Sequence, residues 1–492
     1  MRELYATEYN SNTHLDENLL YKTGLIDSVT LSKNLTYLWG KDSDMFPLLT
    51  STQGQNAFKS MKATELNDTQ YTWPVMGRMK WTSKVVSLAD ANLTTPGLNF
   101  MPFDIYFEDN WIHYQYSAYT PDQLHQVRFQ SEPKKEGEKL WRVTVQLIDS
   151  DATAYIALSN FYAGQAWAMG ATSVAGQFSD GTTSNRMLPG KLTNQFGWQR
   201  YSKIISGNIT NKVTNIEFDI EGGGKTNMWL PVELKQWEME RRMLDEIDLW
   251  TSEYNRTTLG VITTVDPETG LPIPKGAGVK QILTTSGNYD TFSVLTKTKF
   301  DNTARAVFDN RVDDTPMEIV LYTGRGGAEM FHSMLLGEAA EYVLAYGDKV
   351  VVPSDSGYLQ FGAYFNRYKM VDGRIITVRP CKMFDHSSLA EQDRENGRMY
   401  NGYPLFSYNM VFIDQSLDNA GERNVQLVAE LGREEIAGVY AGLTPLPDAW
   451  KAVKGRDGNL STTKDKASYE VMTSRGINFK NATTSFWLEM SL

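Results

Sequence analysis

Residues 229–257 read WLPVELKQWEMERRMLDEIDLWTSEYNRT and carry the longest helical pattern of the chain. Apolar residues recur there every three or four positions, the spacing at which side chains share one face of a helix. The pattern predicts a structural helix from Trp229 to about Thr257, which Gly260 follows as a stop signal. Its main apolar sector comprises Val232, Met239, Met243, Ile247, Trp250 and Tyr254, and a second stripe comprises Leu230, Trp237 and Leu244. From these we take Trp237, Met243, Ile247 and Trp250 as the core face.

Charged residues occupy the remaining side of the predicted helix. Opposite charges four residues apart, as in Glu238–Arg242 and Arg242–Glu246, support a helix by a few tenths of a kcal/mol per pair. We therefore expect one charged side opposite the buried faces. Its members are Lys235, Glu238, Arg242, Asp245, Glu246 and Glu253.

Length and composition describe a soluble globular protein. The 492 residues suffice for several domains, and 41% hydrophobic with 22% charged residues is not a disordered composition. The net charge of −11 argues against a protein that binds nucleic acid through counterion release. The single cysteine, Cys381, excludes an internal disulfide. The N-terminal residues lack an apolar signal core and no long apolar run occurs, so we expect neither secretion nor a membrane helix.

The chain before the helix is predicted to be mostly extended. Residues 1–60 are polar and irregular, as in an arm that buries its few apolar groups on a neighbour. Period-two alternation then predicts half-buried strands at residues 103–107, 143–147 and 216–220. The last of these strands ends at Gly222, Gly223 and Gly224, which we interpret as a hinge between an extended β arm and the helix.

The chain after the helix is predicted to mix helices and strands. Helices are expected at 289–311 and 328–345, and a strand at 280–284. Further strands are expected at 317–322, 374–378, 409–413, 425–431 and 484–490. A helix–strand–helix order of this kind is typical of an α/β domain.

Gly222 to Thr226, read GGGKT, resembles a phosphate-binding loop because it follows a strand and precedes a helix. A Walker A motif requires another glycine where this chain has Asp219. Asp414, at the end of a predicted strand, would be the magnesium-holding residue of such an enzyme. A nucleotide hydrolase therefore stays open only as a third hypothesis.

Other candidate sites have simpler explanations. Gly324 to Gly327 could open a dinucleotide site, but the fingerprint needs a glycine where Glu329 stands. The adjacent residues Asp385, His386 and Ser387 cannot face one another as a catalytic triad must. The other histidines lack metal-ligand spacing, and Cys381 has no cysteine partner. We therefore expect no catalytic residue, no metal, no cofactor and no enzymatic activity.

The order of polar arm, β excursion, long helix and α/β domain with returning strands resembles the Hong Kong 97-type fold of tailed-bacteriophage major capsid proteins. Within that family, the single cysteine and the stretch GRGGAEMFHSMLL at residues 324–336 look most like crAss-like phages. The resemblance implies an α+β chain with a spine helix at 229–257, whose core face is Trp237, Met243, Ile247 and Trp250. It also implies an E-loop before that helix, with Gly222, Gly223 and Gly224 as its hinge.

The resemblance divides the chain into seven regions. They are an N-terminal arm (1–60), an insertion or extended arm region (61–139), the E-loop (140–228), the peripheral or P-domain with the spine helix (229–300), the axial or A-domain (301–400), returning P-domain strands (401–445) and the C-terminal part of the A-domain (446–492).

The implied function is self-assembly into hexamers and pentamers of an icosahedral shell that encloses double-stranded DNA in the virion. Implied partners are other copies of the chain, the portal, scaffold and auxiliary or head-fibre proteins, and DNA on the inner face without sequence specificity; no membrane is involved. The high aromatic content, 12%, also leaves open a β-rich phage fibre or carbohydrate-binding protein.

Overall fold

The computed structural model describes residues 64–75, 80–182, 185–186, 188–209, 213–220, 224–309, 319–346, 367–369, 375–416, 423–443 and 463–491. The predicted arm at 1–60 lies outside these residues, as do Gly222 and Gly223. The chain divides into two compact units. One is Pro74–Gly190, and the other comprises the described residues on either side of it.

Thirteen described strands precede the first described α-helix. They are β1 (Thr64–Leu66), β2 (Gln70–Val75), β3 (Thr82–Leu88), β4 (Phe103–Phe107), β5 (Tyr116–Tyr119), β6 (Gln126–Phe129), β7 (Lys134–Gly137), β8 (Leu140–Ile148), β9 (Ala166–Thr172), β10 (Gly190–Gln195), β11 (Gly197–Ser206), β12 (Val213–Ile220) and β13 (Gly224–Met228).

Helices and strands mix in the rest of the described chain. Its elements are α1 (Trp229–Thr251), α2 (Val279–Thr285), β14 (Tyr289–Phe292), α3 (Lys297–Asp309), β15 (Ile319–Thr323), α4 (Arg325–Tyr346), β16 (Arg367–Lys369), β17 (Ile375–Pro380), α5 (Met383–His386), α6 (Ser388–Glu395), β18 (Met399–Tyr400), β19 (Tyr403–Pro404), β20 (Met410–Asp414), β21 (Val425–Glu430), β22 (Glu435–Ala441), β23 (Lys466–Phe479) and β24 (Phe486–Met490).

The unit Pro74–Gly190 is a closed antiparallel barrel. Its strands follow the order β4-β3-β9-β5-β6-β8, the ring closes because β8 also pairs with β4, and β7 adds to β8. The predicted alternation is confirmed, since Phe103, Ile105 and Phe107 point into the core while their neighbours do not. Trp167 lies fully buried at the centre of this core. Closure leaves the six ring strands without unpaired edges.

The second unit contains a six-stranded mixed sheet in the order β14-β24-β20-β15-β17-β16. Strand β15 is buried on both faces, as expected for a strand covered by helices on each side. Ile319 and Leu321 face a core with α3 and α4, whereas Val320 and Tyr322 face a core with α1 and α2. This sheet with its helices confirms the mixed α/β region predicted after the long helix.

A second sheet of this unit is built on the fourteen-residue strand β23. Its first half lies between β11 and β22, and its second half pairs with β21, which β1 extends in parallel. The sequence pattern does not reveal β23, because buried polar residues such as Thr473 and Ser474 interrupt its apolar alternation.

Several predicted elements need correction. Helix α1 ends at Thr251, not near Thr257. The Ser252 N–H still donates to the Asp248 carbonyl at 2.9 Å, but the N–H of Tyr254 donates instead to Gln281 Oε1 at 2.6 Å. The predicted strand at 280–284 is wrong, since α2 occupies it. The predicted helix at 289–311 is wrong at its start, where β14 pairs in parallel with β24. Short apolar runs do not distinguish helix from strand, so tertiary pairing decides.

We predict that residues 74–190 fold without the rest of the chain. Their barrel is closed and has its own core, and the flanking strands β2 and β10 pair with each other, so the two ends start close together. The isolated fragment should unfold cooperatively in urea. Trp167→Ala should lower its free energy of unfolding by about 3–5 kcal/mol because it empties the core.

Leu124→Ala is the matched control, since Leu124 is 77% exposed. It should change the free energy of unfolding by no more than about 0.5 kcal/mol. A fragment without a cooperative transition would contradict an autonomous barrel.

Candidate functional site

Helix α1 connects two separate cores of its unit. Near its N-terminal end, Leu230 and Leu234 pack with β11 and β23 in one core. Trp237 also belongs to this core, and its ring lies edge-on to that of Tyr469 with 5.7 Å between the ring centroids. Near its C-terminal end, Trp250 packs in another core beside the six-stranded sheet. That core also contains Val425 and Leu427 of β21 and Ile477 of β23, so α1 and the direct packing of the two sheets together fix their arrangement.

The four predicted core-face residues are divided between these cores. Trp237 belongs to the first, whereas Met243, Ile247 and Trp250 belong to the second. Trp250 has no exposed surface, and its indole N–H donates to Glu246 Oε1 at 2.8 Å. Its ring lies 5.6–6.1 Å from the rings of three other aromatic residues, namely Tyr322, Phe384 and Trp487. The predicted second stripe is wrong at Leu244, which is half exposed.

The expectation of one charged side on α1 is wrong for Asp245 and Glu246, which are 3% and 0% exposed. Asp245 accepts a hydrogen bond from Tyr201 at 2.7 Å and lies 3.4 Å from Arg475 and 3.6 Å from Arg241, which is itself buried. Burial raises the pKa of the Asp245 carboxyl, although the hydrogen bond from Tyr201 and the two arginines act in the opposite direction. This ionic cluster ties α1 to β11 and β23, and helical spacing alone does not reveal it.

Lys225 and Thr226 do not form a phosphate-binding loop. They lie in β13, where Lys225 is opposite Asp219 of β12 in the strand register, and not in a loop at the start of α1. Asp414 is buried, and its Oδ1 accepts bonds from the backbone N–H and hydroxyl of Ser416 at 2.9 and 2.5 Å. Gly224 opens β13 opposite Ile220. The described residues therefore lack the arrangement that the hydrolase hypothesis requires.

The turn at Gly324 to Gly327 is closed by the protein's own side chains. Asp385 accepts from the backbone N–H of Arg325 at 3.0 Å, and Ser407 Oγ accepts from that of Gly326 at 2.9 Å. Ser407 donates its hydroxyl to Asp385 at 2.6 Å. A side chain at Gly326 would meet the ring of Tyr408 at 2.7 Å, so glycine is needed for packing. The first N–H groups of α4 are thus occupied, and the dinucleotide hypothesis fails.

The remaining sequence candidates have structural roles. Asp385 supports α4, and Ser387 caps α6 by accepting from the backbone N–H of Ala390 at 3.3 Å. Cys381 is buried, which raises the pKa of its thiol well above the usual range. Among the described residues, no His, Cys, Asp and Glu cluster could hold a metal ion, and no helix is long and apolar enough to cross a membrane.

We predict that Asp245→Asn destabilises the protein by roughly 1–3 kcal/mol, because it removes one of the two carboxylates beside the buried Arg241 and leaves only Glu435, at 3.3 Å. Urea denaturation at pH 8, followed by tryptophan fluorescence, measures the change. Glu253→Gln, at an exposed acid just after α1, serves as control and should stay within about 0.5 kcal/mol of the parent. Equal stability of the two variants would show that the ionic cluster does not hold α1.

Comparison with known proteins identifies the family. The family model described as Crassvirus major capsid protein matches residues 14–492. A search of curated proteins finds no significant match. Similar solved structures include the capsid of Cyanophage P-SCSP1u, with 10% identity over 65% of this chain and 80% of the other and a TM-score of 0.32.

Two further structures are similar to the same extent. Mycobacterium phage Bobi shows 7% identity over 78% of this chain and 89% of the other, with a TM-score of 0.31. The SrpI encapsulin of Synechococcus elongatus shows 10% identity over 61% and 75%, with a TM-score of 0.29. The family assignment does not rest on these TM-scores but on the family model, which covers nearly the whole sequence. The protein is a structural component of the phage virion shell, and its chain belongs to the family of crassvirus major capsid proteins.

Proposed function

We propose that the chain builds its shell as a subunit of the Hong Kong 97 type, with α1 as the spine helix. The observation that carries this proposal is the burial of the two ends of α1 in two different cores. A helix of 23 residues held in this way is about 35 Å long and resists bending between its two sheets. A shell subunit needs a rigid helix of this kind, because it must keep a thin and wide shape in the shell.

The domain assignment follows from this role. We assign the P-domain to α1 with β11, β22 and β23, and the A-domain to the six-stranded sheet with α3 and α4. This proposal differs from the division expected from the sequence, which places β23 in the C-terminal part of the A-domain (446–492) and β20 among the returning P-domain strands (401–445). The insertion expected at 61–139 corresponds in this proposal to the larger barrel of Pro74–Gly190, which the predicted boundary at 139/140 would divide within the β7–β8 hairpin.

The E-loop expected at 140–228 is then confined to its last part, the hairpin of β12 and β13. Among the described strands, this hairpin pairs with no third one. A two-stranded ribbon is barely stable alone in water, so contact with a neighbouring subunit would stabilise it. Gly222, Gly223 and Gly224, predicted as a hinge between the β arm and the helix, instead connect β12 to β13 at the end of the hairpin away from α1. They are therefore proposed to let the end of the hairpin adapt to five- and six-membered rings, because glycine accepts a wide range of backbone angles.

The complete assembly is proposed to consist of hexamers and pentamers in an icosahedral shell around double-stranded DNA. Portal, scaffold and auxiliary or head-fibre proteins would complete it. The net charge of −11 fits a shell that contains DNA without binding it tightly, as when a motor packages the genome. No described site supplies an acid, base or nucleophile for a reaction, so the role proposed is structural and not enzymatic.

We predict that the purified protein assembles into shells, rings or tubes of repeating subunits. Negative-stain electron microscopy and sedimentation velocity over a concentration series measure this directly. Assembly should resist reducing agents, because the only cysteine is buried. A monodisperse monomer at high concentration, with the family's other capsid components added, would contradict the proposal.

A further inference from the structure

The segment between α1 and α2 forms an exposed apolar ribbon, which we define as residues 255–273. Five large aliphatic residues in it are exposed to the extent of 43–90%. No charged residue occurs from Thr257 to Val265. Apolar patches of this density on soluble proteins usually mark contact surfaces. The five are Leu259, Val261, Val265, Leu271 and Ile273.

The ribbon is held in place before any partner binds. Backbone bonds cross it from Thr257 N–H to the Val261 carbonyl at 2.8 Å and from Ile273 N–H to the Thr264 carbonyl at 2.9 Å. At its base, the fully buried Gln195 donates to Asn255 Oδ1 at 2.8 Å and accepts from Arg256 Nε at 3.0 Å. A preformed surface loses little entropy on binding.

An open groove of about 410 Å³ lies beside the base of the ribbon, between α1, β11 and residues 273–277. Its apolar lining includes Trp198, Leu244 and Pro274. Leu244 is 50% exposed although it lies in the middle of α1. A cavity of about 150 Å³ holds a molecule as large as benzene, so this groove has room for two aliphatic side chains. Lys275 and Asp248, 2.6 Å apart, flank it.

The chain's own ribbon does not fill its own groove. Leu259 at the ribbon tip is 90% exposed, and the groove remains open in the same molecule. A projection with an uncharged apolar tip and a groove with apolar residues in its lining therefore coexist on one subunit. The lining of the groove also includes the charged residues Asp248, Lys275 and Arg475. In a shell made of many copies, the subunit most often in contact is another copy of the same chain.

We propose that the ribbon tip of one subunit, around Leu259 and Val261, inserts into the groove beside Leu244 of a second copy. The proposal rests on the proposed function, because it assumes that copies assemble. Projection and socket are different surfaces, so the contact is head-to-tail. Contacts of this kind generate closed rings when the rotation between subunits allows it.

Cysteine cross-linking tests the contact whether or not complete shells form. Leu259→Cys and Leu244→Cys are made in separate chains, and the native Cys381 does not compete because it is 2% exposed. Mixing the two variants under oxidising conditions should give a disulfide-linked dimer of twice the 55.6 kDa chain mass. Leu124→Cys, an exposed site on the barrel, replaces Leu259→Cys in the control mixture and should give none.

Two other outcomes would overturn the proposed contact. Dimers from Leu259→Cys alone would mean that the tips meet each other, and an uncross-linked mixture would mean that a different protein occupies the groove. A dimer without shells from the parent chain would uphold the contact while contradicting the proposed assembly. As a second measurement, the double variant Leu259→Asp with Val261→Asp should weaken self-association at least about tenfold with unchanged melting temperature.

Discussion

The packing of Trp250 is the contact on which the remaining architecture depends. Its ring fills the space between α1, the six-stranded sheet and the α5 region, and its N–H is satisfied by Glu246 one turn earlier. Burial of so large a side chain stabilises the native state by several kcal/mol. Val425 and Ile477 of the second sheet lie in the same core, and the other end of α1 is buried against β11 and β23, so this contact also helps to position the second sheet. One aromatic residue thus contributes both to helix α1 itself and to the packing of that helix against the sheets.

Secondary structure was predicted correctly where apolar residues recur at a regular spacing. Helix α1 begins at the predicted residue, and the strands with clean alternation, such as Phe103–Phe107 and Leu140–Ile148, form as expected. Each of these segments has one buried and one solvent-exposed face, so the spacing of its apolar residues indicates its secondary structure directly. The mixed α/β region was predicted from a different signal. Strand β15 is a continuous apolar run, the pattern of a strand that is buried on both faces.

Features that depend on distant residues could not be predicted. Asp245 looks like a surface residue until Tyr201 and Arg475, far away in the chain, are placed beside it. The cap of α4 is equally hidden, because Asp385 and Ser407 come from other segments. Strand β14 forms only because β24 provides a parallel partner. Closure of the barrel depends on the β4–β8 pairing across 34 to 42 residues of sequence, which no local pattern encodes.

The barrel and its adjacent ends also have a consequence for how this protein family can change. The chain leaves the second unit at β2 and returns at β10, two strands that are hydrogen-bonded neighbours. A module connected in this way can be replaced by another of similar end-to-end span without changing the positions at which the chain leaves and re-enters the second unit. Shells from different lineages can therefore exchange whole cassettes here while retaining one common frame, and a foreign domain could be grafted at the same position for display.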